Sequence, residues 1–350
     1  MIALTILIDG QPLKRAYVSH FDFFRVPQTK IFVTNNSGQV TLDVNGTTEI
    51  RIYAQNSVAR VLDGALYNIM VSQTAKVSNG LTVNISSQRD HFRIAARCID
   101  AYDTVFREFP PFNAPDRGDF PFGRNPDLQQ RMNALPRIEL SYPDKSPSTL
   151  AYVEPVSLST NFPLMHIKDR SSDGRLFGEN GQPPSLIPHE LSHALHFATL
   201  PTNVRVAAEA KYIGWLTDRI ASGQPPFHNT FTVTSPFVAF IEAFGMFGER
   251  YFFHKKSHPA LSGAALHQKF FGANHDLDNL KGDDIEGAVF GALFVDFANS
   301  SLTGLPFVVR AFFESRALTF DDYRNFVVNN PSITPAVKNH LVSVANKRGL

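Results

Sequence analysis

The chain has 350 residues, enough for two or three cores at the usual domain size, and 43% hydrophobic with 19% charged residues excludes a disordered or fibrous chain. Thirty-three basic against 32 acidic residues leave a formal charge of +1, so no basic field draws in nucleic acid or an anionic membrane. A single Cys beside 31 Phe excludes an intrachain disulfide framework and a cysteine-rich metal site, so any metal must be held by His and carboxylates.

The first residues, MIALTILIDGQPLKR, carry a short apolar run with no basic region before it and no small-residue cleavage site. They predict a first β-strand and turn, not a signal peptide. The cytoplasm is therefore the expected compartment, with export by a route that leaves the N-terminus intact as the alternative. No run approaches 18 apolar residues, so no transmembrane helix is expected. Segments at Ile2–Ile8, Lys30–Thr34, Val40–Val44, Glu49–Ala54 and Leu81–Ile85 are rich in Val, Ile, Thr and Phe, with Asn and Gly turn signals between them. The expected fold class is α+β: a small N-terminal β-sandwich over 1–87, then a mainly helical domain with a short mixed sheet over 88–350. The runs IDGQPLKRAYV and TNNSGQVTLDVNG resemble those of prealbumin-like or immunoglobulin-like modules, which implies an accessory domain.

Helical spacing of apolar residues predicts a helix over 91–109, with Cys98 on its buried face. A Pro- and Gly-rich stretch from Pro110 to Pro136 reads as an insertion or lid. Strands are expected at Arg137–Tyr142, Pro163–Ile167 and around 151–155, and helices from about Pro184 onward.

The sharpest signal is SLIPHELSHALHFATLP, residues 185–201. His189 and His193 stand four apart, which on a helix puts both on one face, as two ligands of a single metal require. Glu190 falls about 100° around the helix, a position suited to a base acting on water near the metal. Two imidazoles and a carboxylate on an otherwise apolar helix are costly to bury without a partner. A third ligand is needed. The metzincin pattern would require Gly at 196 and His at 199, where this chain has His196 and Thr199. Glu242 is the leading candidate, because it interrupts a Phe-rich helix predicted over 235–253. Small residues Ala239, Ala243 and Gly245 would let that helix pack closely. Glu249, two turns on, is the rival ligand or an acceptor for an imidazole N–H.

This pattern resembles the gluzincin zinc metallopeptidases, which carry HExxH on one helix and a Glu on a later one. His189, Glu190 and His193 match the first motif; Glu242-Ala243-Phe244-Gly245 matches the second approximately. The resemblance spans about residues 90–300 and implies a zincin-like domain and Zn²⁺ held by His189, His193 and Glu242. It departs at Met246, where thermolysin-like enzymes place an Asp that supports a histidine. That support is expected from Glu249 or from Asp283, Asp284 or Glu286. Otherwise these last three acids serve as plain helix-start residues.

The expected activity is hydrolysis of a peptide bond in a peptide or protein substrate, with Zn²⁺ as cofactor and Glu190 as the general base. Endopeptidase and aminopeptidase action both fit. Tyr251, His254, His258, His267 and His275 are candidates for the oxyanion donor, each equally readable as packing, and His196 is a weaker supporting candidate. An edge strand at Leu150–Glu154 or Pro163–Ile167 would hold an extended substrate. Two alternatives stand beside the enzyme: a non-catalytic binding protein of zincin fold, and a structural or adhesion protein led by its β-domain. The sequence sets no oligomeric state.

Overall fold

The computed structural model describes residues 1–20, 30–64, 69–106, 138–144, 151–154, 163–168, 186–224, 230–271, 277, 279–298 and 302–350. The stretch Pro110–Pro136 and His275 lie outside them. The chain has a mixed α and β architecture with an N-terminal sheet region.

Strand β1 (Ile2–Ile8) alternates strictly, burying Ile2, Leu4, Ile6 and Ile8, as a half-buried strand must. It pairs antiparallel with β5 (Gln39–Leu42) and parallel with β10 (Thr82–Asn84). Asp9 and Gly10 both take positive φ and turn the chain into β2 (Gln11–Pro12), the geometry for which Asp-Gly is favoured in hairpins. A second sheet has the order β4 (Lys30–Val33), β3 (Tyr17–His20), β6 (Thr48–Tyr53), β9 (Ser72–Val77). Val18, Ile50, Ile52 and Val77 are buried in it.

The third sheet departs from the sequence reading. Strand β7 (Ala59–Asp63) pairs in parallel with β11 (Ile138–Asp144), which pairs in parallel with β13 (Leu164–Lys168). The edges are β8 (Ile69–Met70) and β12 (Ala151–Glu154). The N-terminal region thus gives a strand to a sheet shared with residues 75 or more positions later. The reason is burial: β7 and β11 are covered along nearly their whole length, and strands buried on both faces lose the alternation that identifies a strand in sequence. The compact units are accordingly discontinuous. One takes in Met1–Asp100, Asp116–Tyr152 and Leu164–Gly181; the other takes in Ala101–Pro115, Val153–Pro163 and Gln182–Leu350.

Helix α1 (Arg89–Ala101) runs into a π-helical turn, Tyr102–Phe106. Cys98 is fully buried, and burial pushes its thiol pKa up to about 12, so it is an inert packing residue. The second unit carries α2 (Leu186–Thr199), α3 (Thr202–Ala221), α4 (Pro236–Ser257), α5 (Gly263–Phe270), α6 (Glu286–Phe290) with a π-helical continuation over Gly291–Phe297, α7 (Leu305–Ser315), α8 (Phe320–Asn329) and α9 (Pro335–Arg348). Ser235 caps α4, its Oγ accepting from the Val238 N–H at 3.2 Å, with Pro236 at the first helical position. Among the described residues, many of the Phe side chains form the core around α4. Phe240 and Phe244 stack on Phe312 at 4.6 and 4.2 Å, and Phe247 stacks on Phe294 at 4.7 Å.

Candidate metal centre

Helix α2 is apolar on nearly every side, so it is held as a buried core helix. Two of its three histidines, His189 and His193, point the same way, with ring centroids 4.8 Å apart at 81°. Helix α4 crosses it closely because two glycines remove the side chains that would keep them apart. A Cβ on Gly245 would stand 2.6 Å from His193 Cε1 and 2.7 Å from His189 Nε2. A Cβ on Gly248 would meet Ser192 Oγ at 1.8 Å and the Pro188 carbonyl at 3.1 Å.

That approach brings Glu242 to both rings. Its Oε2 lies 3.1 Å from His189 Nε2, and its Oε1 lies 3.5 Å from His193 Nε2. One donor atom each from His189, His193 and Glu242 falls within 4.8 Å of the other two, close enough to hold one metal ion. Bonds of about 2.0–2.1 Å in tetrahedral array put ligand atoms roughly 3.3 Å apart, and the two histidine–carboxylate distances bracket that value. His193 supplies a second test of fit. Among the described residues neither of its buried ring nitrogens has a hydrogen-bond partner, a costly state that a metal would relieve at Nε2.

Glu249 lies outside this trio. Its Oε2 accepts from His189 Nδ1 at 3.1 Å, so it stands on the far side of the ring from Glu242. Burial opposes charge on His189, but hydrogen bonds to Glu242 and Glu249, with the charges of Glu242 and Glu190, raise its pKa well above 6.5. The support that Met246 does not provide comes from Glu249.

Glu190 is buried at 7% exposure, and its negative charge reaches both His189 and Tyr212. Tyr212, on α3, was not a sequence candidate. Burial, then the charges of Glu242, Glu190 and Glu209, push its pKa upward and keep the phenol protonated. Its ring lies 5.7 Å from that of Trp215. Helical spacing offers a signal for it, since Ala208, Tyr212, Trp215 and Arg219 share one face of α3.

Of the downstream donor candidates, the four that lie among the described residues make other contacts. His254 stacks on Phe270 at 4.0 Å, and burial with the charges of Arg250 and His258 lowers its pKa to about 4. His258 packs on Phe270, His267 bonds the Phe294 carbonyl through Nε2 at 2.7 Å, and Tyr251 is buried against Phe247. His196 is enclosed by Phe197, Phe240, Phe244 and Phe312. Helix α6 has Ile285 as its N-cap with no side-chain cap bond, so Asp283 and Asp284 do not cap it; Asp284 instead accepts through its backbone carbonyl from Thr234. Among the described residues, neither they nor Glu286 joins the metal-binding group.

No protein-family model matches this chain, and no curated protein matches it. The site's geometry and chemistry therefore carry the functional reading.

Proposed function

We propose that the chain is a zinc-dependent peptidase of the gluzincin kind, with His189, His193 and Glu242 as ligands and Glu190 as general base. The observation that carries this reading is the convergence of two imidazole nitrogens and a carboxylate across two helices, with a further buried carboxylate next in sequence to the first ligand. Two nitrogens and one oxygen suit zinc, and three protein ligands leave a position open for reactants. Bound zinc supplies Lewis acidity toward the scissile carbonyl and the attacking water.

The protein's own groups do the rest. The Glu190 carboxylate takes a proton from the attacking water and delivers it to the departing amine. The Tyr212 phenol, held protonated by burial and then by its anionic neighbours, donates a hydrogen bond to the oxyanion that develops on the carbonyl. Glu249 fixes His189 by holding Nδ1–H, which leaves Nε2 aimed at Glu242. Gly245 keeps the helices close enough for the three ligands to meet.

The test pairs metal analysis of the purified full chain with hydrolysis of an unbiased peptide library by wild type and Glu190→Gln. Stoichiometric zinc, with cleavage lost in the variant, is expected. Absence of metal overturns the proposal. Zinc without hydrolysis moves the protein to the non-catalytic binding class.

A further inference from the structure

Helix α3 turns Tyr212 and Trp215 inward and leaves its opposite face open. Val206, Ile213 and Ile220 recur every seven residues on that face at 53%, 52% and 62% exposure. Directly beside each stands a small residue, Ala207, Gly214 and Ala221, and all three are exposed. A Cβ on Gly214 would meet nothing within 4 Å. Ala210 and Thr217 fill the middle, with the Thr217 hydroxyl already donating to the Ile213 carbonyl at 2.8 Å and so not calling for water. A helix of 20 residues spans about 30 Å, and an exposed uncharged face of that length is unusual on a lone soluble protein.

We infer that this face is a self-association surface, on which α3 pairs antiparallel with α3 of a second copy of the chain about a two-fold axis near Ile213 and Gly214. A two-fold interface must be complementary to itself, and the sequence of α3 meets that condition in two ways. About an axis between residues 213 and 214, Val206 comes within one residue of the level of Ile220 of the partner subunit along the apolar edge, and Ile213 within one residue of its own copy. On the other edge the small residues meet one another and let the helices approach closely. Beyond that edge lie Lys211 and Asp218, both exposed, which form no ion pair among the described residues. Antiparallel pairing puts each within about two residues, or roughly 3 Å along the axis, of the opposite charge on the second copy. A parallel two-fold pair would carry that edge to the opposite side of the partner helix and leave the two charges unmatched. Val233, 58% exposed, extends the patch at the C-terminal end of α3, where its carbonyl accepts from Arg219. One helix face is small against the roughly 1,000 Å² total of the smallest specific interfaces. A weak, concentration-dependent dimer follows.

Sedimentation of the full chain from about 1 to 200 μM tests this. The expected result is a shift toward twice 38.9 kDa at the upper concentrations, abolished by Ile213→Asp with an unchanged thermal melt. Lys211→Asp or Asp218→Lys alone should weaken the dimer about 3- to 10-fold, and the double exchange should restore it. Mild oxidation of Gly214→Cys should give a covalent dimer, against a low background because Cys98 is buried. A monomer across the whole range overturns the inference. So does a dimer that tolerates Ile213→Asp, or a dimer in which the double exchange fails to restore what single exchanges lose. Binding of the monomer to zwitterionic vesicles, lost in Ile213→Asp, would assign the face to a lipid surface instead.

Discussion

Gly245 faces His193 so closely that a single added methyl group would stand 2.6 Å from the Cε1 of the ring. The same methyl would meet His189 Nε2 at 2.7 Å, so neither ring can yield without leaving the metal position. Gly245→Ala should therefore lose zinc and stability together, with an overpacking cost of about 1–3 kcal/mol. Metal content and a denaturant melt check both. Gly248→Ala is the control, because its methyl would meet Ser192 and the Pro188 carbonyl. It should lower stability while retaining far more zinc. Equal zinc loss in the two variants would contradict this account.

Glu242 and Glu249 approach opposite nitrogens of one imidazole, Nε2 and Nδ1, each at 3.1 Å. Their removal should differ in degree. Glu242→Ala takes away a proposed ligand and should abolish stoichiometric zinc. Glu249→Gln keeps the shape but loses the charge that holds Nδ1–H, so zinc affinity should fall about 10- to 100-fold. Competition with a chelator of known affinity measures both. Stoichiometric zinc in Glu242→Ala would shift the ligand role to Glu249.

Tyr212→Phe should leave zinc binding intact and lower kcat by about 10²-fold with little change in KM, as loss of a donor that acts on developing charge requires. Steady-state rates on whichever peptide the library yields decide it. An unchanged kcat would remove Tyr212 from the chemistry.

The parts of this site that could be read in sequence are those whose geometry lies within one helix. His189, Glu190 and His193 are placed by the pitch of α2 alone. Glu242 was visible because a carboxylate amid Phe237, Phe240, Ile241 and Phe244 needs a reason to be there. The distinction between Glu242 and Glu249 was not legible, since it depends on where α4 crosses α2, and that is set by Gly245 and Gly248 against partners about 50–60 positions earlier. Tyr212 was missed for a related reason. Helical spacing predicts that α3 exists, whereas the direction of its Tyr face depends on tertiary packing. Strand β7 shows the same limit in a sheet, because parallel pairing with β11 leaves no local periodicity in either strand to reveal the register.

His196 lies on the helix that carries two of the candidate ligands but has been taken into the aromatic core. It is fully buried, with Phe312 at 4.7 Å on one side and Phe197 at 5.7 Å on another. Burial, then the charge of His193, lower its pKa from 6.5 to about 3, with a small opposing contribution from the Ala317 backbone. The sign of the linkage follows. Below about pH 6.5 the unfolded chain takes up a proton at this residue, while the folded protein refuses it until about pH 3. The unfolded state then binds more protons, so stability falls as pH drops through that window, by up to roughly 1.4 kcal/mol per pH unit from this one group. His196→Leu should be less sensitive to acid than wild type by about one proton's worth of slope between pH 6 and 4. Urea melts across that range measure the difference. Parallel pH dependences in the two proteins would show that the imidazole is accessible to protons in the folded state, contrary to its enclosure by four phenylalanines.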